Sequence, residues 1–208
     1  MSEVPAAVAA LAARLGLTAE LPYTPYWSAA ADFLGLIVDH ALAARPAVIV
    51  ECGSGASSVL LARCCAMQGQ GHLYSLEQGA GYAAATRAAL ARHRLDACAT
   101  VLDAPLRQHC IGAADWPWYD LDGLFGHLSA PIDLLVVDGP PSGGAPLARY
   151  PALPLLASRL APAGVIFLDD AARPGESALL ARWATEYPDW RQERRDCERG
   201  CAVLRRSP

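Results

Sequence analysis

The chain contains no lysine; all 17 of its basic residues are arginine. That absence excludes a phosphate-loop lysine, a Schiff-base lysine for pyridoxal phosphate and a lysine general base. Any proton acceptor must be Asp, Glu, His, Tyr or Cys. A GC-rich codon bias accounts for the composition, and the chemical exclusion holds regardless. Long apolar runs are missing too. No stretch reaches the ~18 residues that mark a membrane span, so no membrane partner is expected. The start, Met1-Ser2-Glu3-Val4, lacks a positive segment followed by an apolar one, and no secretory signal is expected. Seven cysteines, an odd number, are scattered through core-like segments. They fit small buried hydrophobes in a reducing cytoplasm better than a disulfide framework. Cys197 and Cys201 have no second Cys or His pair nearby to complete a zinc site. A net charge of −4 lacks the positive excess of a phosphate-tracking surface, so no nucleic-acid partner is expected.

What is present suits a folded chain. With 208 residues, 53% of them hydrophobic and 18% charged, one domain is expected over 1–208. Residues 1–45 read as a helical cap, and 46–208 as an α/β core. Val4, Val8, Leu11 and Leu15 give helical spacing over 4–15, and a second helix is expected from about Ser28 to Ala44, before Pro46. Between them Leu21-Pro22-Tyr23-Thr24-Pro25-Tyr26 is a proline-broken aromatic connector. Apolar strands then alternate with helices: strands over 47–52, 72–76, 100–102, 132–137 and 164–168, helices over 57–67, 82–94, within 147–160 and over 176–187. That alternation predicts a parallel sheet covered on both faces. Residues 190–196 and 201–206, joined by Glu198-Arg199-Gly200, predict a closing antiparallel hairpin. The stretch 107–131 reads as one long irregular insertion, of a length usually functional.

Acids stand at the ends of these strands: Glu51, Glu77, Asp103, Asp138 and the pair Asp169-Asp170. Ligands of open α/β sheets bind at the carboxyl ends of strands, so a lined crevice is expected there rather than five helix caps. Glu51-Cys52-Gly53-Ser54-Gly55 closes the first strand and opens a helix, with glycines that let backbone approach a ligand. Glu77, ending the second strand, is placed to bind ribose hydroxyls. Ser58 occupies the position of the third glycine that a dinucleotide fold uses for close packing. A carboxylate at Glu51 would repel a pyrophosphate but suits a cationic sulfonium and amino group.

The segments VIVECGSGASSVLLA, LYSLEQ, APL, IDLLVVDGPP, RYPALPLL and GVIFLDDAARPGE together resemble the class I S-adenosylmethionine (SAM)-dependent methyltransferases, in the methyltransferase-24-like bacterial branch. The resemblance covers about residues 22–206. It implies a Rossmann-like sheet of seven mostly parallel strands, helices on both faces and a C-terminal antiparallel hairpin. It further implies that Glu51, Gly53, Ser54 and Gly55 cradle the methionine part of SAM, with Ser57-Ser58 opening the helix. Glu77 would hold the ribose and Gln78 would lie beside the adenine, flanked by Asp103 and Ala104. Asp138 would stand near the sulfonium. The connector Tyr23–Trp27 and the segment Trp116–Tyr119 would cover the cofactor or acceptor, or else pack on the core.

Methyl transfer to a hydroxyl needs alignment, exclusion of water and deprotonation. Asp138 and Asp169 are the candidate catalytic residues. With Asp170 they are also similar to the ligands of magnesium in catechol-type O-methyltransferases, where a hard cation lowers the pKa of a bound hydroxyl. Two departures stand out. Asp170 replaces an asparagine of that family, and Gly139-Pro140-Pro141 replaces the stretch that carries its catalytic lysine. Asp169 and Asp170 converge only if the chain turns there; salt bridges to Arg149 or Arg173 are the alternative to a metal, with Asp138 or Asp169 then acting directly as base. His109 and His127 are further acid–base candidates. The cluster Arg191, Arg194, Arg195, Arg199, Arg205 and Arg206 suits either an anionic partner or a charge-protected edge. The expected activity is SAM-dependent O-methylation of a small hydroxylated metabolite, with a homodimer allowed. An NAD-dependent oxidoreductase and a non-catalytic SAM-binding module are the rivals.

Overall fold

A computed structural model describes residues 4–143, 145 and 147–207. Met1 to Glu3, read above for a signal segment, lie outside the described residues. Two helices come first, α1 (Ala6–Arg14) and α2 (Ala31–Ala44). The second ends where Arg45 turns left-handed and Pro46 bars continuation. Then follow β1 (Val48–Cys52), α3 (Ala56–Gln68), β2 (His72–Glu77), α4 (Ala80–Arg92) and β3 (Ala99–Asp103). A separate hairpin, β4 (Leu106–Ile111) and β5 (Ala114–Tyr119), leads to α5 (Asp122–His127). The core resumes with β6 (Ile132–Val137), α6 (Ala152–Leu156), a 3-10 turn over Ala157–Arg159, β7 (Leu160–Asp169) and α7 (Pro174–Glu186). The chain finishes with β8 (Trp190–Arg195) and β9 (Cys201–Arg206).

The seven-stranded sheet has the order β3-β2-β1-β6-β7-β9-β8. Pairs from β3 to β7 are parallel, and β9 runs antiparallel to both β7 and β8. Strand order reverses at β1, and that switch point opens a crevice at the carboxyl ends of β1 and β6. Successive residues of β1 serve opposite faces. Ile49 joins one core with Phe33, Leu34, Ile37 and Leu60; Val50 and Cys52 join the other with Trp118, Leu153 and Trp183. Complete burial of a side chain such as Phe33 contributes roughly 1.5–3 kcal/mol, so neither face is left for solvent. Among the described residues no helix is long and apolar enough to cross a membrane.

Three expectations are corrected. The stretch 107–131 is not irregular, since most of it is the β4–β5 hairpin and α5. Its strands stand outside the main sheet, so they need no apolar alternation, and Pro117 sits within β5. The second helix begins at Ala31, which leaves Ser28 to the connector. Third, β7 starts at Leu160 instead of Gly164, whereas the helix expected within 147–160 does form there, as the five residues of α6.

Candidate active site

A cavity of about 710 Å³ opens at the carboxyl ends of β1, β2 and β6. Its walls come from the connector (Leu21, Tyr23 and Trp27 among others), the 51–57 turn, one side of α4 from Tyr82 to Arg92, Tyr119 and the segment after β6. Its ionisable lining is unbalanced: Glu20, Glu51, Glu77 and Asp138 face it against Arg92 alone among the arginines. Such a cavity favours a ligand with positive charge over an anion.

The turn after β1 carries φ of +107° at Gly53, a conformation open to glycine but strained for other residues. Ser58 has taken the third-glycine position for a purpose of its own. Its hydroxyl donates to Glu51 Oε2 at 2.6 Å and accepts from the Gly55 N–H at 3.0 Å. The Ser75 hydroxyl also donates to Glu51 Oε2, at 2.8 Å. Burial raises the Glu51 pKa, and the hydroxyls of Ser57, Ser58 and Ser75 partly offset it. Glu77 is fixed on both oxygens: Oε1 accepts the Gly79 N–H at 2.8 Å and Oε2 accepts the Ser54 hydroxyl at 2.9 Å. Both carboxylates are therefore aimed before any ligand arrives.

Asp138 enters the cavity from the end of β6, and its neighbours lie behind it. Asp169 and Asp170 converge because the chain does turn there, with φ of +58° at Asp170. One oxygen from each of Asp138, Asp169 and Asp170 lies within 4.8 Å of the others. Guanidinium groups fill the spaces between them. Arg149 Nη2 lies 2.9 Å from Asp170 Oδ2 and 3.4 Å from Asp138 Oδ1, while Nη1 donates to the Asp169 carbonyl at 3.0 Å. Arg173 Nη1 reaches Asp170 Oδ2 at 2.9 Å. Arg199 sets Nη2 3.6 Å from Asp169 Oδ2 and Nε 3.4 Å from Asp170 Oδ1. Burial pushes Asp138 well above the usual carboxylate range against the pull of Arg149, and raises Asp169 to about 6.

The methyltransferase-domain family model, methyltransferase-24, matches residues 50–171, more than half of the chain. The chain belongs to this family, within the class I SAM-dependent methyltransferases. No curated protein matches it in sequence. Among solved structures, the methyltransferase is similar to the SAH-bound enzyme PaMTH1 from Podospora anserina. The two share 16% identity and a TM-score of 0.67, over 99% of this chain and 89% of that one. It is likewise similar to the O-methyltransferase TomG from Streptomyces achromogenes, in complex with SAM, at 16% identity and a TM-score of 0.65, over 100% and 92% of the two chains. An O-methyltransferase from Bacillus cereus in complex with SAH follows at 15% identity and a TM-score of 0.65, over 98% and 92%.

The methyltransferase brings most of its sequence-expected residues to one place: Glu51, Gly53, Ser54, Gly55, Ser57, Glu77, Gln78 and Asp138 all line the cavity. Asp103 and Ala104 are not among the lining residues. Asp103 instead points to solvent and pairs with Arg87 at 2.9 Å, and Ala104 is buried in the core beside Trp118. His109 and His127 are corrected as well. The His109 ring bonds the Tyr119 carbonyl at 2.9 Å and the His127 ring bonds the Gly123 carbonyl at 2.7 Å, both away from the cavity. The hairpin arginines find partners within the chain, among them Arg194 to the Ala171 carbonyl and Arg205 to Glu193, as a charge-protected edge requires. Tyr82, Thr86 and Arg92 on α4 were missed; their near-helical spacing from Gly79 onward was the available signal.

Proposed function

We propose that this methyltransferase holds S-adenosylmethionine in the 710 Å³ cavity and moves its methyl group to a hydroxyl oxygen of a small acceptor. The observation that carries the reading is the pair of aimed carboxylates, Glu51 and Glu77, on either side of the Gly53–Gly55 turn in a net-acidic cavity. In this reading Glu51 faces the amino group of the methionine part, Glu77 the ribose hydroxyls and Gln78 the adenine. The sulfonium adds a further positive charge that the acids favour. A nicotinamide dinucleotide would instead set its pyrophosphate against Glu51. The O-directed neighbours TomG and the Bacillus cereus enzyme support oxygen as the target.

In the transfer, the acceptor oxygen attacks the methyl carbon in line, and the carbon–sulfur bond breaks with its electron pair left on sulfur. The acceptor proton passes to the carboxylate of Asp138, whose burial makes it a stronger base than an exposed aspartate. Asp169 supports Asp138 from behind. Residues 1–208 would act as one catalytic unit, with 1–45 as the cap whose connector covers the cofactor. Assistance by magnesium through Asp138, Asp169 and Asp170 is not favoured, because arginines already pair with all three. Calorimetry tests the reading: micromolar heats with SAM and with S-adenosylhomocysteine, and none with NADH. Asp138→Asn should keep the S-adenosylhomocysteine affinity while transfer falls roughly 10²–10⁴-fold. Heat with NADH alone would sink it.

A further inference from the structure

Three carboxylates from the ends of neighbouring strands, within 4.8 Å of each other, would ordinarily repel. Either a bound cation or cationic side chains must compensate them. A magnesium ion takes hard oxygen ligands in octahedral array and retains several waters. Here Asp169 is 0% and Asp170 2% exposed, so of the three only Asp138 faces the cavity, where the waters of such an ion would have to lie. The oxygens a metal would use are already directed at guanidinium groups. Asp170 Oδ2 meets both Arg149 and Arg173 and Asp138 Oδ1 meets Arg149, while Arg199 lies 3.6 Å from Asp169 Oδ2 and 3.4 Å from Asp170 Oδ1, near enough to compensate their charge though without a hydrogen bond to either. Arg149 Nε lies 3.9 Å from Glu176 Oε1, so that the guanidinium is held along both edges while itself 5% exposed. Four acids thus face three arginines, which leaves one net negative charge where a free metal site would offer three or four.

We infer that Arg149, with Arg199 behind it, supplies the positive charge that a divalent cation would otherwise bring to Asp138, Asp169 and Asp170, so that this site takes no metal. The inference rests on the reading of the cavity as a methyl-transfer site. The arginines work through the aspartates: Arg149 engages Oδ1 of Asp138, and Oδ2 receives no hydrogen bond among the described residues. One oxygen is thereby anchored while the other is left for the acceptor. A guanidinium is planar, permanently charged and suited to bridging two carboxylates, which an ammonium is not.

Mn2+ is the probe, followed by electron paramagnetic resonance of the free ion, with S-adenosylhomocysteine calorimetry run on the same samples. The full-length wild type should leave the Mn2+ signal undiminished in the millimolar range, and its S-adenosylhomocysteine heat should be unchanged by EDTA. Arg149→Lys keeps the charge and should also leave Mn2+ free. Arg149→Gln removes the charge and the bridging contacts while leaving a polar side chain, and should bind Mn2+ about tenfold or more tighter than wild type. A merely structural arginine would not confer metal binding when neutralised. Arg199→Gln serves as a second charge-removing variant should Arg149→Gln not fold. Stoichiometric uptake of Mn2+ by wild type, lost in Asp169→Asn, would overturn the inference, as would a folded Arg149→Gln protein with no gain. The absence of S-adenosylhomocysteine heat in wild type would instead defeat the cofactor reading, and the two failures are separately visible.

Discussion

At Gly139 the space beside the backbone is already taken. A Cβ there would overlap Tyr119 Oη and lie 3.2 Å from the Cys52 carbonyl. Gly139→Ala should therefore lower stability by about 1–3 kcal/mol, the usual cost of overpacking. Tyr119→Phe in the same chain should restore part of it by removing the hydroxyl, as a urea-denaturation double-mutant cycle would show. Glu77 makes two charge-assisted hydrogen bonds inside the fold, and Glu77→Gln should weaken S-adenosylhomocysteine binding roughly tenfold or more by calorimetry. Asp169 gives a pH signature. Its folded pKa, about 6, lies above the ordinary aspartate value of 3.8, so the fold favours the protonated form. That contribution is complete below pH ~4 and is lost as pH rises through about 6. Asp169→Asn, which mimics the neutral acid, should gain about 2 kcal/mol over wild type at pH 8 and nothing at pH 4. Equal unfolding midpoints at both pH values would contradict it.

The element that ties the cluster to the cavity wall is the turn between β8 and β9. Gly200 has φ of +73° and packs so closely that an added Cβ would meet Ala172 N at 2.6 Å. Its carbonyl accepts from Ala171 at 3.1 Å, the Arg199 carbonyl accepts from Ala172 at 3.1 Å, and Arg199 Nη2 donates to the Ser28 carbonyl at 2.8 Å. One turn thus fixes the loop after β7 and the connector together. Arg199→Ala should speed amide hydrogen exchange over residues 21–29 and weaken S-adenosylhomocysteine binding several-fold, while exchange in β1 and β2 stays slow. Unchanged exchange over 21–29 would contradict the coupling. Elements of the core were legible in advance because burial on both faces writes itself as short apolar runs, as in Ile132–Val137 and Val165–Leu168. The β4–β5 hairpin was not. Its residues Arg107, Gln108 and Cys110 face solvent, and Pro117 imitates a strand breaker, so hydrophobic period carried no information there.

Across the whole molecule, Glu51, Glu77 and Asp138 share one cavity because topology alone brings the carboxyl ends of β1, β2 and β6 together, while Asp103, Asp169 and Asp170 do not line it. The departures at Asp103, His109 and His127 have another origin. Whether a side chain at a strand end or in a hairpin turns toward the crevice depends on rotamer and local partners, such as Arg87 for Asp103, which chain position does not encode. The pairing of Arg149 with Asp170, named from the sequence as the alternative to a metal, crosses from one loop to another, so chain position alone did not decide between the two.

Sheet order has one more consequence. β9 lies inside the sheet, between β7 and β8, although it is the last strand in chain order. During synthesis the flank of β7 thus stays bare until residues 201–206 have left the ribosome, and Arg199 meets its acids only as the β8–β9 turn folds. A nascent chain halted before β9 would expose an unzipped backbone rim, with Arg149 and Arg173 left to hold the acids alone, and would suit a chaperone that shields strand edges.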